Sequence, residues 1–221
     1  MLICEEFLLL VTSPEGKWLA ASDAVPLALA GGLLAELAQQ GKVTVDDGQR
    51  IVVVDRSSPA DLVLADALAA FAGQEGKKPG KVLGKVARGL GDRLYGRLIE
   101  AGIVEVRKVR LLPVRHFPLL DPAVRQRTWD DVAAVLRGDR SPDARTGTLL
   151  GLTVAGGALT RVFPPADFGL PKRELENRAR QLAQGDWAAD AVGQAVRAVQ
   201  AATMAAVTAA ATASVAASAS S

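Results

Sequence analysis

Apolar positions along the chain change their period several times, and each change marks an element. Residues 5–11, EEFLLLV, are a short continuous apolar run that a strand or a helix can bury equally well, and Ser13-Pro14-Glu15-Gly16 closes it with a turn signature. From about Val25 to Gln40, Leu27, Leu33, Leu34 and Leu37 recur at helical spacing, with Ser22 or Asp23 as a cap and Gly41 as a stop. Two β-branched runs, Lys42 to Val45 and Gln49 to Asp55, then flank Asp46-Asp47-Gly48, which predicts a hairpin. Ser57-Ser58-Pro59 predicts the cap of a helix from about Ala60 to Ala72, with Leu62, Leu64, Ala65 and Leu68 turned inward.

Val82, Val86, Leu90, Leu94 and Leu98 recur every four residues, which predicts one amphipathic helix starting near Pro79 and ending at a Gly102 cap. The run IVEVRKVRLLPVRHF that follows predicts a second hairpin with a basic centre. Further helices are expected from Ala123 to Arg137 (Val124, Val132, Val135 and Leu136 inward), Thr146 to Phe163, about Pro171 to Gln184, and Trp187 to beyond Met204. No charge falls between Arg145 and Arg161, so Thr146 to Phe163 is expected to be the central buried helix, interrupted only by Gly156-Gly157. The fold class is therefore mainly α: a single helical domain over residues 1–200, built around a buried central helix with one or two protruding β-hairpins. Residues 201–221, rich in Ala, Ser and Thr, are expected to form a frayed or disordered tail.

Composition narrows the chemistry. Of 221 residues, 49% are hydrophobic and only 4% aromatic, which favours helices packed through small and aliphatic side chains. The single Cys4 excludes an internal disulfide and a cysteine zinc site, and the single His116 leaves little material for metal binding or a triad. The run from Gly80 to Val86 (GKVLGKV) is one residue short of a phosphate-binding loop and has Val where magnesium needs a hydroxyl. Asp46-Asp47 in a turn and Asp130-Asp131 at a helix start read as solvated or capping carboxylates. No catalytic residue, metal or cofactor is expected, and the chain does not read as an enzyme. Glu5 and Glu6 stand where a secretion signal would be basic, and no run of Leu, Ile, Val and Phe is long enough to span a bilayer, so a cytoplasmic location is expected.

Charge is the feature that points to a function. The formal net charge is +2, yet Lys77 to Arg115 holds eleven Lys or Arg against Asp92, Glu100 and Glu105, a local +8, while residues 1–76 carry −7. Such asymmetry implies an anionic partner. The expected helix puts Lys81, Lys85 and Arg88 on the face opposite the apolar stripe, with Arg93 and Arg97 on its border. Those cations, with Arg107, Lys108 and Arg110 in the hairpin, would meet anionic head groups while Leu111, Leu112 and Val114 dip into the interface. The candidate lipid-binding residues are thus Lys81, Lys85, Arg88 and Arg93, and the candidate membrane hairpin is Arg107, Lys108, Arg110, Leu111 and Leu112. A rival reading is nucleic acid, because the order helix, Gly, strand, turn, strand occurs twice (Leu33 to Val54 and Leu94 to Val114), as at the end of a winged helix. The first copy is acidic and no Asn or Gln cluster supplies a base-reading face, which disfavours it. A protein scaffold with no lipid site is the third reading.

The whole pattern resembles the Golgi phosphoprotein 3 family. The resemblance rests on EEFLLLVTSPEGK, LLAELAQQGKV, LADALAAF, RLIEAGIVEVRK, FPLLDPAVRQR, DARTGTLLGLTVAGGALTRVF and KRELENRARQLA, in this order from about Leu2 to Ala183. It implies a largely helical domain with a protruding hairpin and a cytosolic peripheral membrane adaptor. In Golgi members it also implies recognition of phosphatidylinositol 4-phosphate and of cytoplasmic tails of glycosyltransferases. Anionic lipid head groups are then the expected partner, followed by cytoplasmic tails of membrane proteins and a second copy of the chain through the hairpin. The family's phosphoinositide-gripping positions fall on Ala21, Ala30, Arg88 and Gly91, of which only Arg88 keeps the family's residue type. High Ala, with Arg (18) favoured over Lys (8), fits a bacterial relative.

Overall fold

A computed structural model of the chain describes residues 1–20, 22–108, 115–184 and 201–209. The first apolar run folds as a helix, α1 (Ile3–Leu10), and nearly every side chain on it is buried. A run of that length fits either element, and the decision is tertiary: α2 (Ala24–Gln39), α6 (Pro122–Arg137) and α7 (Ala144–Ala155) enclose it. Contact with α2 is close enough that a Cβ on Gly32 would lie 3.1 Å from the Cys4 backbone. Cys4 is itself fully buried, and burial first, then the charges of Glu5 and Glu36, push its thiol up.

Charged groups tie α1 to its neighbours. Glu5 Oε2 accepts from the Leu2 N–H and Glu36 Oε2 from the Ile3 N–H, both at 2.7 Å, satisfying free donors of the first turn. Arg97 pairs with Glu5 at 2.7 Å and Asp61 at 2.8 Å, and Arg145 pairs with Glu6 at 2.7 Å. These contacts tie α1 to α2 through Glu36, to α7 through Arg145, and to Asp61 through Arg97.

α2 ends as expected. Gly41 takes φ 69°, and the N–H groups of Lys42 and Gly41 return to the carbonyls of Leu37 and Ala38. The hairpin β1 (Val43–Val45) and β2 (Ile51–Val53) pairs Val43 with Val53 and Val45 with Ile51. Gln49, and not Gly48, carries the positive φ of its turn (56°). α3 (Leu62–Ala72) starts two residues later than predicted. Its cap is Asp61, whose carboxylate accepts from Val63 and Leu64. Leu64 and Leu68 are buried as expected, joined by Val63, Ala67 and Phe71, while Leu62 is turned out to 75% exposure and Ala65 is half-buried.

α7 is the buried central helix, but it stops at Ala155. Gly157 adopts φ 64° and the Ala158 N–H returns to the Thr153 carbonyl, so Gly156-Gly157 ends the helix and a short α8 (Leu159–Val162) follows. α6 buries Val132, Val135 and Leu136 and leaves Val124 half-buried. Asp130 and Asp131 sit inside α6 rather than at its start, Asp131 pairing with Arg140 at 3.1 Å. After a 3-10 turn at Pro165–Phe168, α9 (Lys172–Gln184) packs Leu175, Ala179 and Ala183 inward. The helix predicted from Trp187 lies outside the described residues up to position 200. Residues 201–209 form α10, with Ala202, Thr203 and Val207 buried.

Asp61 provides a pH test of this scaffold. Burial favours its neutral form, but the Arg97 hydrogen bond and the Leu64 and Val63 N–H groups outweigh burial and hold its carboxyl below the usual range. The folded group then binds a proton more weakly than the unfolded one. Its stabilisation is present above the ordinary aspartate value of about 3.9 and is lost as pH falls through that value toward the lower folded one. Urea midpoints measured between pH 6 and pH 3 are expected to fall less steeply for Asp61→Asn than for the parent chain.

Candidate functional site

The basic stretch is two helices. α4 (Pro79–Val86) and α5 (Leu90–Glu100) meet at Gly89, whose φ of 70° no continuous helix can hold. Each half keeps its own apolar stripe, Val82 and Leu83 in α4, and Leu90, Leu94, Tyr95 and Leu98 in α5. Gly102, at φ 70°, ends α5 as predicted. The hairpin beyond it pairs β3 (Arg107–Lys108) with β4 (Arg115–His116), with Val104 bridging Leu119 at its base.

The two halves differ in charge. Lys77, Lys78, Lys81, Lys85 and Arg88 pair with no acid among the described residues, and only Lys77 and Lys85 reach a polar side chain, Gln74, at 2.8 and 3.4 Å. Lys81 and Lys85 are exposed one turn apart on α4, whereas Arg88, expected on the same helix face, is exposed in the turn after the helix ends at Val86. In α5 the arginines are neutralised: Arg93 bonds Asp66 of α3 at 2.6 Å and Arg97 bonds Glu5 and Asp61. Arg93, expected beside Arg88 in a lipid-binding set, is thus directed to α3. Arg107 pairs with Glu105. Arg110, Leu111 and Leu112 lie outside the described residues, and Lys108 is placed by its backbone register opposite Arg115.

Beside Gly89 opens a cleft of about 570 Å³ between the start of α5, strand β4 and the loop that follows α1. Its floor is aromatic. Tyr95 and Phe117 stack with ring centroids 3.7 Å apart and planes 6° from parallel. The Tyr95 hydroxyl is fully used: it accepts from Trp18 Nε1 at 2.8 Å, and because Thr12 Oγ1 gives its own proton to the Leu8 carbonyl, Tyr95 donates to Thr12 at 2.8 Å. Burial pushes the phenol up, which keeps it a neutral donor. Arg115 stands 5.9 Å above the Phe117 ring and bonds Asp92 at 2.7 Å, while Lys17 and His116 line the same space. Ala87 and Gly89, on either side of the exposed Arg88, are in the wall.

The loop is held against the hairpin by backbone. Ser13 and Lys17 close a tight turn, and the Phe117 N–H donates to the Gly16 carbonyl at 3.2 Å. Sequence reasoning missed Lys17, Trp18, Tyr95, His116 and Phe117, and counted Arg115 only as charge. The available signal was scarcity: in a chain that is 4% aromatic, the single Tyr and the single His both line this cleft.

The family model of Golgi phosphoprotein 3 (GPP34) matches residues 3–199. The chain belongs to the Golgi phosphoprotein 3 family. No curated protein matches it at a significant level. On this Golgi phosphoprotein 3 domain, three of the four positions that the resemblance assigned to phosphoinositide contact lie among the described residues. Gly91 is in the cleft wall, Arg88 is exposed between the wall residues Ala87 and Gly89, Ala30 is fully buried in α2, and Ala21 lies outside the described residues. Arg115, brought in by β4, lines the same cleft as Gly91. Among the described residues no helix is long and apolar enough to cross a membrane.

Proposed function

We propose that this Golgi phosphoprotein 3 family member is a peripheral membrane adaptor, with a lipid head-group phosphate seated in the cleft near Arg115 and Lys17, and with Lys81, Lys85 and Arg88 against an anionic bilayer surface. The observation that carries the reading is the run of cations from Lys77 to Arg88 that meet no acid among the described residues, whereas the arginines of α5 are paired. A free cation near an anionic leaflet is worth about 1 kcal/mol, and none of that is spent in advance on an internal partner. Family membership supports the adaptor role, the second ligand being the cytoplasmic tail of a membrane protein. The winged-helix alternative draws no support from α2, whose residues from Ala28 to Ala35 are buried and leave no face for a groove.

The test is co-sedimentation with neutral vesicles and with vesicles containing phosphatidylglycerol, at two salt concentrations. Binding is expected only to the anionic vesicles and is expected to weaken with salt. The double variant Lys85→Ala, Arg88→Ala should lose ~2 kcal/mol, roughly thirtyfold in the partition coefficient. Equal binding to neutral vesicles, or no binding at all, would reject the reading.

A further inference from the structure

Among the described residues, Asp92 is the only acid in the wall of the cleft, and the helix start does not use it. It sits in the first turn of α5, yet its Oδ1 accepts from Arg115 Nη2 at 2.7 Å rather than from a backbone N–H of that turn. Arg115 has no other acid partner among the described residues. The pair is open to solvent, with 51% of the Arg115 side chain and 62% of the Asp92 side chain exposed, so a ligand entering the cleft meets both. Arg115 is therefore held over Phe117, in the lining of the cleft, and neutralised there by a carboxylate of the same chain. An incoming phosphate must take the guanidinium from Asp92 and then remain beside a released negative charge.

We propose that Asp92 is a resident counter-ion: it occupies Arg115 in the empty protein and competes with the head-group phosphate for it, which sets how tightly the protein holds an anionic membrane. The inference rests on the cleft being the anion site proposed above. A purely structural role predicts the opposite sign. If the pair only props the hairpin against α5, removing Asp92 frees Arg115 and weakens binding. If Asp92 competes with phosphate, its removal strengthens binding, and only while Arg115 is present.

The experiment measures partitioning onto phosphatidylglycerol vesicles for the full chain and for Asp92→Asn, Asp92→Glu, Arg115→Gln and the Asp92→Asn, Arg115→Gln double variant. Glu100→Gln adds the same charge on the exposed end of α5. Asp92→Asn is expected to bind about fivefold more tightly, ~1 kcal/mol, the upper range for an exposed ion pair. Asp92→Glu should bind like the parent, Glu100→Gln should change by less than about twofold, and the gain should vanish in the Arg115→Gln background. Parent-like or weaker binding by Asp92→Asn overturns the inference while leaving the membrane reading intact. A gain that survives without Arg115 also overturns it, because net charge alone then explains the effect. Failure of every form to bind any anionic vesicle overturns both.

Discussion

Gly16→Ala is expected to lower stability by ~4 kcal/mol, the sum of left-handed strain, two broken backbone bonds and a lost ring stack at about 1 kcal/mol or a little more each. Gly16 sits at φ 81°, and a Cβ there would lie 2.3 Å from the Phe117 nitrogen and 2.4 Å from the Phe117 carbonyl carbon. Those are backbone atoms, which cannot rotate aside as a side-chain end can. The loop would have to leave the hairpin, taking with it the bonds from Phe117 to Gly16 and from Leu119 to Pro14, and then the Tyr95 stack. For a chain of this size the loss corresponds to a fall of roughly 10 °C in the thermal midpoint, read most directly by Trp18 and Tyr95 fluorescence. Gly41→Ala separates strain from collision: its φ is 69° but no described atom lies within 4 Å of the added carbon. It should cost only ~1 kcal/mol. Equal effects of the two substitutions would show that the loop and hairpin do not pack as described.

Arg97→Ala is the second large effect, a loss of ~3 kcal/mol, the lower part of the range for breaking a buried ion pair because Arg97 itself is partly solvated. Its partner Glu5 is only 5% exposed on its side chain, so truncation leaves a carboxylate with little water and no cation at that oxygen. Arg93→Ala in the same helix is the comparison. The Arg93 and Asp66 side chains are 44% and 67% exposed, and their separation should cost less than ~0.5 kcal/mol. Adding Glu5→Gln to Arg97→Ala should recover part of the loss, since the stranded charge is then removed. Chemical denaturation of the four proteins gives the comparison. Similar costs for Arg93→Ala and Arg97→Ala would contradict the burial of Glu5.

The contrast between those arginines also explains what could be read from the chain. The first hairpin, the glycine stops at Gly41 and Gly102, and the buried character of α7 follow from local spacing and turn chemistry, and the structure contains each of them. The free cations of α4 were legible too, because no acid occurs between Lys77 and Gly91. Neutralisation in α5 was not legible, since the partner of Arg97 at Asp61 is 36 residues away and reaches it only through packing of α3 on α5. Two helix breaks were misjudged for a related reason. Gly89 and Gly157 interrupt apolar stripes that remain in phase, and only a positive φ, absent from any hydrophobic pattern, stops the helix there. Leu62 failed because it stands about 200° around the helix from Leu64, so a helix that buries Leu64 and Leu68 turns Leu62 out. The aromatic cleft draws on positions 12, 18, 95 and 117, and no periodicity links them.

The deep position of Cys4 has a practical consequence for every membrane experiment on this protein. It is the chain's only thiol, it lies beneath α2, and burial disfavours the thiolate that alkylating reagents require. The folded parent should therefore stay essentially unlabelled by maleimides, and Gly84→Cys, on the exposed side of α4 with nothing within 4 Å of the added carbon, would carry a fluorophore or spin label at one defined place. Depth and distance measurements at a bilayer could then begin without first removing a native residue from the core.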